Sequence, residues 1–333
     1  MINGKPRITV ISTGGTIAGK AASRSETLDY KPGVLEGAEM FRAIPEALDI
    51  ADLTFVQFSN KSSTEIDGAD WIALACLVEQ RSAAPDVDGI VITHGTSTLE
   101  ESATFLQFTV HSPKPVVLVG SMRPSTSISA DGPLNLLQAV SVAASAGARD
   151  RGILVVMNDR IYSGIYVSKT HTTAVDTFKA HEQGCIGYML GTEGRYYFAP
   201  SLPLAVPKFD IPTTVALPKI ALLYSHSDGD VELLDLMLER GYVGIVLAAS
   251  GNGSLTEVAA RKVNELTGRG IPVVISSYTG AGIVTRTSKH KALVSGIYSP
   301  QKSRILLSLL IQNRIPIESM QSFFSPVQTY LPG

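Results

Sequence analysis

Residues 89–101 read "GIVITHGTSTLEE". An apolar, β-branched run enters a turn that contains a glycine, and the turn opens on the acidic start of a helical pattern. A strand that is apolar at every position is buried on both faces, as in a parallel sheet covered by helices. The same step from strand to helix recurs on either side. "RITVIS" (7–12), "LTFVQF" (53–58), "PVVLVG" (115–120) and "GILVVMN" (152–158) read as further strands. "DWIALACLVEQ" (70–80), "TLEESATFLQFTV" (98–110) and "NLLQAVSVAAS" (135–145) carry helical periodicity between them. This alternation predicts an α/β fold.

The proline-rich stretch "APSLPLAVPKFDIPTTVALP" (199–218) interrupts the alternation and reads as a linker. The pattern then resumes with "KIALLYS" (219–225), "VELLDLMLERG" (231–241), "VGIVLAA" (243–249), "LTEVAARKVNELTG" (255–268) and "PVVISS" (272–277), and closes on helical segments at 303–312 and 317–325. The expectation is two domains, 1–198 and 219–333, the N-terminal one larger, each a mainly parallel sheet covered by helices.

Composition narrows the function. Charged residues make up 17% of the 333 and net charge is −2, with no block of one sign, so nucleic acid is not an expected partner. No apolar run reaches the roughly 18 residues of a membrane span. The opening "MINGKPRITVISTGG" lacks the pattern of a signal peptide, so a cytoplasmic location is expected. Cys76 and Cys185 form neither a disulfide framework nor a metal spacing, and both are expected to be buried thiols. The histidines show no ligand spacing, and no metal or cofactor is expected.

Ligands of open parallel sheets bind beyond the carboxyl ends of the strands. Three loops there are distinctive: "STGGTIAG" (12–19), "THGTSTLEE" (93–101) and "GSMRPSTSISADGP" (120–133). In the first, Thr13 precedes two glycines. It fits a plain glycine turn, or a threonine nucleophile beside an amide-lined anion pocket. A phosphate loop is less apt, because neither common glycine motif for phosphate is present. A hydroxyl nucleophile needs a base. Thr96 and Lys169, the latter in "YVSKTHTTAVDTFKA" (166–180), can supply a relay, since a lysine in a dry pocket loses its proton more readily. Taken singly, Thr96 also suits a turn and Lys169 a solvated surface.

Together these segments are far more specific. With "VGSMRPSTSISADGPLNL", "VVMND", "SKTHTT", "GNG" and "SPQK" in order, the chain resembles the bacterial-type L-asparaginase/glutaminase family over nearly its whole length. The resemblance implies hydrolysis of a side-chain amide through an acyl-threonine intermediate, without metal or cofactor, by a homotetramer built from intimate dimers. It implies Thr13 as nucleophile, Tyr30 as a lid tyrosine that helps activate it, and Thr96 with Lys169 as proton relay. It places Gly14, Ser63, Thr64, Ser97, Ser121, Asn252 and Lys289 around the substrate. Ser63 would hold the α-carboxylate, and Asn252 would reach the neighbouring subunit's site.

Two positions depart from the family pattern. The family reads His-Gly-Thr-Asp-Thr where this chain has His94, Gly95, Thr96, Ser97 and Thr98. The absent aspartate binds the substrate's α-ammonium. A family glutamate from the neighbouring subunit does likewise, and Lys289 falls at its place. Ser97 and Glu100 also fit a capping box, so the following helix is expected to tolerate the change. Two lost charge-assisted hydrogen bonds, with a like charge gained at Lys289, would cost about 4–6 kcal/mol in binding a free α-ammonium. The sequence therefore predicts amide hydrolysis with altered recognition of the α-amino group. The alternatives are an ordinary L-asparaginase, or a weakly catalytic binding or regulatory protein of the same fold.

Overall fold

In the computed structural model the chain is described over residues 4–324, apart from 28, 32, 203–205 and 215; Tyr30 is described by its backbone alone. It divides into two compact units, Met1–Pro203 and Leu204–Gly333.

In the first unit the strands are β1 (Arg7–Gly14), β2 (Lys20–Ala21), β3 (Tyr30–Lys31), β4 (Asp52–Lys61), β5 (Gly89–Thr93), β6 (Val116–Val119), β7 (Ile153–Met157), β8 (Arg160–Ser163), β9 (Ser168–Lys169), β10 (Phe178–Lys179), β11 (Gly187–Leu190) and β12 (Glu193–Tyr196). Eight of them form one sheet in the order β12-β11-β8-β7-β6-β5-β1-β4. From β7 to β4 every pairing is parallel. The predicted apolar strands are these five, and every residue of β5, β6 and β7 is buried. Burial on both faces explains why they carry Val and Ile without alternation.

Helices α1 (Gly37–Phe41), α2 (Ala47–Ile50), α3 (Gly68–Ala83), α4 (Leu99–Thr109) and α5 (Gly132–Ala143) cover the sheet. The N-terminus of α3 is fixed by a reciprocal cap: Asp67 accepts from the Asp70 N–H at 3.0 Å, and Asp70 accepts from the Asp67 N–H at 3.0 Å. One apolar core gathers Ile8, Val10, Val91, Val117, Val119 and Leu154 of the sheet with Leu136, Ala139 and Val140 of α5.

The antiparallel edge formed by β8, β11 and β12 goes beyond the sequence reading. Asn158 and Asp159, at φ 49° and 60°, turn β7 back into β8. Two consecutive left-handed residues of this kind are what a tight hairpin needs. The cysteines also differ from expectation. Cys76 is exposed on α3 and Cys185 is half-buried. Cys76 falls outside the stripe of Trp71, Leu74, Ala75 and Val78 that α3 buries, so its side chain faces solvent.

In the second unit β13 (Ile220–Tyr224), β14 (Gly244–Ala249), β15 (Val273–Ser277) and β16 (Leu293–Val294) form a parallel sheet in sequence order. Helices α6 (Glu232–Glu239), α7 (Glu257–Gly268), α8 (Pro300–Gln312) and α9 (Ile317–Met320) accompany it. Thr256 caps α7 and Ser299 caps α8 through their hydroxyls. Among the described residues no helix is long and apolar enough to cross a membrane.

Candidate active site

The loops that follow β1, β4, β5 and β6 leave the same end of four neighbouring parallel strands. Thr13, at the end of β1, is 1% exposed, and its Oγ1 donates to the Thr93 carbonyl oxygen at 2.9 Å. Gly14 and Gly15 follow at φ 109° and 79°, a region that strains any residue with a side chain. A Cβ on Gly15 would stand 2.3 Å from Gly95 Cα, so the turns after β1 and β5 pack backbone against backbone.

Hydrogen bonds pin the turn after β5 to its neighbours. The His94 N–H donates to the Val119 carbonyl at 2.8 Å, which ties it to the end of β6. The Thr98 hydroxyl donates to the Ser63 carbonyl at 2.6 Å, which ties it to the turn after β4. A Cβ on Gly95 would lie 2.8 Å from that of Ser63. Thr13, Gly14, Ser63 and Thr96 are thereby brought together, with Ser63 and Thr96 buried.

Lys169 comes from the small hairpin of β9 and β10. Its Nζ donates to Thr96 Oγ1 at 2.9 Å. Burial pushes the ammonium below the ordinary lysine range, and the Glu100 carboxylate partly opposes this. Once it has lost its proton, an amine so placed can accept one from the threonine hydroxyl.

His94 has a different place. Its Nδ1 lies 2.8 Å from the Gly95 carbonyl, which can only accept, so Nδ1 carries the proton. Its Nε2 then accepts from the Ser102 hydroxyl at 2.8 Å, and Ser102 accepts from the Trp71 indole N–H at 2.9 Å. Burial pushes the imidazole down to about 4. A neutral ring bonded on both nitrogens braces the turn.

The capping box read from Ser97 and Glu100 does not form. Helix α4 starts at Leu99 with Thr98 as its N-cap, and the Thr98 side chain is committed to Ser63. Ser97 is exposed beside Thr96. Glu100 Oε1 accepts instead from the Lys169 backbone N–H at 3.3 Å. The nearness of Glu100 to Lys169 is the feature that the sequence reading missed. Acidic residues in a first helical turn signal only the helix dipole, and the hairpin's approach is a tertiary contact.

Ser121 is buried and donates to the Arg123 carbonyl at 2.8 Å. Asp131 gathers its loop by accepting from the N–H groups of Met122 and Arg123. Thr64 is exposed, its Oγ1 3.0 Å from Ser62 Oγ. The Tyr30 side chain lies outside the described residues; its backbone pairs with Ala21. The segment before it is tied to the loop after β6. Ser125 N–H donates to the Gly19 carbonyl, Ile128 N–H to the Arg24 carbonyl, and Ala21 N–H to Thr126 Oγ1. Asn252 and Lys289 belong to the second unit. Asn252 clasps Thr285, accepting from its N–H at 2.7 Å and donating to its Oγ1 at 2.8 Å. Lys289 is exposed.

Comparison with known proteins speaks to the whole chain. The "Asparaginase, N-terminal" family model matches residues 7–202, and the "Glutaminase/Asparaginase C-terminal domain" model matches 219–324. The chain belongs to the asparaginase family. It is 42% identical over 326 residues to L-asparaginase 2 of Bacillus subtilis (strain 168), covering 96% of this chain and 86% of the relative. It is 39% identical over 330 residues to the probable periplasmic L-asparaginase of Haemophilus influenzae, covering 96% and 92%. The crystal structure of a probable cytoplasmic L-asparaginase from Campylobacter jejuni superposes with a TM-score of 0.90 at 36% identity, covering 97% of this chain and 100% of that one. Asparaginase-family relatives thus carry names from two compartments.

Proposed function

We propose that this asparaginase-family enzyme is an amidohydrolase that releases ammonia from the side-chain carboxamide of an asparagine- or glutamine-like small molecule, with Thr13 as the nucleophile. The observation that supports this most strongly is the 2.9 Å hydrogen bond from the half-buried Lys169 ammonium to Thr96, at the sheet end where Thr13 lies. Thr13 Oγ1 bonds to the carboxamide carbon as its proton passes to the Thr96–Lys169 pair. The pair returns a proton to the departing nitrogen, the C–N bond breaks and ammonia leaves. Water then adds to the acyl carbon and gives a proton to the same pair. The C–Oγ bond breaks, and Thr13 recovers its hydrogen as the carboxylate product departs.

Recognition of the α-amino group is the second part of the proposal. Ser97 offers a neutral hydroxyl where the family pattern has a carboxylate, and Lys289 replaces a family glutamate contributed by the neighbouring subunit of a homotetramer. The preferred substrate is then an N-substituted asparagine or glutamine, or a dicarboxylic acid monoamide. A second reading, ordinary L-asparaginase activity, is favoured by the name of the 42% identical relative.

Ammonia release from L-asparagine, L-glutamine, N-acetyl-L-asparagine and succinamic acid tests the reading. Wild type is expected to turn over at least one of these amides, and folded Thr13→Ala none. Turnover by Thr13→Ala at the wild-type rate would remove the threonine assignment. Stabilisation by an amide without turnover would make the protein a binder instead.

A further inference from the structure

Lys169 lies on a two-residue strand of a small hairpin, an unpromising mount for a base that must hold its position on Thr96. We propose that Glu100 is the positioning residue that anchors Lys169 to the helix behind it, through the lysine's backbone and through charge. The inference rests on the proton relay proposed above.

Three observations carry it. Glu100 Oε1 accepts from the Lys169 N–H at 3.3 Å, a bond between α4 and the hairpin. Glu100 Oε2 is buried and accepts no hydrogen bond from the described residues. A buried carboxylate oxygen without a donor is costly and persists where a nearby cation compensates it. Glu100 is also the charge that acts on the Lys169 ammonium, raising its affinity for a proton against the effect of burial. Several ionisable groups of the hairpin and of the turn after β5 are engaged elsewhere. On the hairpin, Lys179 pairs with Asp176, and His171 Nδ1 accepts from the N–H groups of Thr173 and Ala174. In the turn after β5, His94 is neutral and bonded to Ser102 and Gly95. With a hydroxyl at position 97, Glu100 supplies the anion on this side of the relay.

The test uses the full-length protein. Trace acetylation with acetic anhydride across pH, read by mass spectrometry at the Lys169 peptide, reports the neutral fraction of this one amine whether or not the enzyme turns over. In Glu100→Gln the charge is gone, so Lys169 is expected to be acetylated severalfold faster near neutral pH, and the acid limb of kcat/KM is expected to move to lower pH. Maximal kcat is expected to fall about tenfold with KM little changed, because the backbone tether is weakened. Glu100→Asp keeps the charge and should restore the wild-type labelling profile. If Glu100→Gln does not fold, Glu100→Ala, which removes the buried oxygens as well, takes its place. A labelling profile for the neutral variant that matches wild type, or moves to higher pH, would overturn the inference. A wild type that releases no ammonia from any amide would defeat the proposed function, while the labelling still decides the role of Glu100.

Discussion

Thr13 gives its hydroxyl hydrogen to a backbone carbonyl, and Thr96 receives one from a lysine. The proposed mechanism gives the two threonines different tasks, Thr13 as the attacking oxygen and Thr96 as a conduit for its proton. Thr96→Ala and Lys169→Met are each expected to lower kcat about a hundredfold or more, the usual scale for lost proton transfer, with the fold intact by circular dichroism. The direction of the Lys169 shift gives a pH prediction. Burial already favours the neutral, basic form, so activity should extend toward neutral pH. A carboxylate placed beside the ammonium favours the charged form, so Ser97→Asp is expected to move the acid limb of the kcat/KM profile to higher pH. An unmoved limb would separate Lys169 from the rate. The resemblance supplied the residue types at this site, because each sits in a short motif. The role of Glu100 could not be read so, since it depends on a hairpin about 70 residues away meeting the first turn of a helix.

At the scale of elements, the turn after β5 is held by a row of groups that a local motif does not reveal. Trp71 on α3 donates to Ser102 on α4, Ser102 to His94, and His94 to the Gly95 carbonyl. His94 is fully buried and neutral, with its pKa near 4, whereas a histidine in the unfolded chain titrates near 6.5. Between those values the unfolded state binds the extra proton, so stability is complete above about pH 6.5 and is lost as pH falls toward 4. The full difference is about 3 kcal/mol. Urea unfolding at pH 7 and pH 4.5 is expected to show a larger acid-dependent loss in wild type than in His94→Gln. Equal losses would mean that the ring is not held neutral. The parallel strands were legible because burial on both faces demands unbroken apolar runs. The antiparallel edge was not, since β11 and β12 are only partly buried and β8 follows β7 directly, so that its signal lay in the Asn158–Asp159 turn. Helix α4 shows the same limit. A capping box is a sequence pattern, and the competing bond from Thr98 to Ser63 moved the cap one residue on.

At the scale of the whole molecule, Thr96 and Lys169 belong to the first unit, and Asn252 and Lys289 to the second. The resemblance makes those second-unit residues contributions to a neighbouring copy, so the proposed recognition needs an oligomer, and the resemblance implies a homotetramer. Activity per subunit should fall on dilution below the assembly's dissociation constant, in step with the loss of oligomer seen by light scattering. Specificity is a difference between affinities, and repulsion shapes it as much as attraction. The most direct measurement is kcat/KM for L-asparagine and for N-acetyl-L-asparagine in wild type, Ser97→Asp, Lys289→Glu and the double variant. The account predicts that the double variant gains on L-asparagine by more than the product of the two single gains, because both new carboxylates meet one ammonium. It predicts a loss on the N-acetylated substrate, which would face uncompensated negative charge. A wild type that already favours free L-asparagine, with no gain in the double variant, would contradict it and leave an ordinary L-asparaginase that tolerates Ser97.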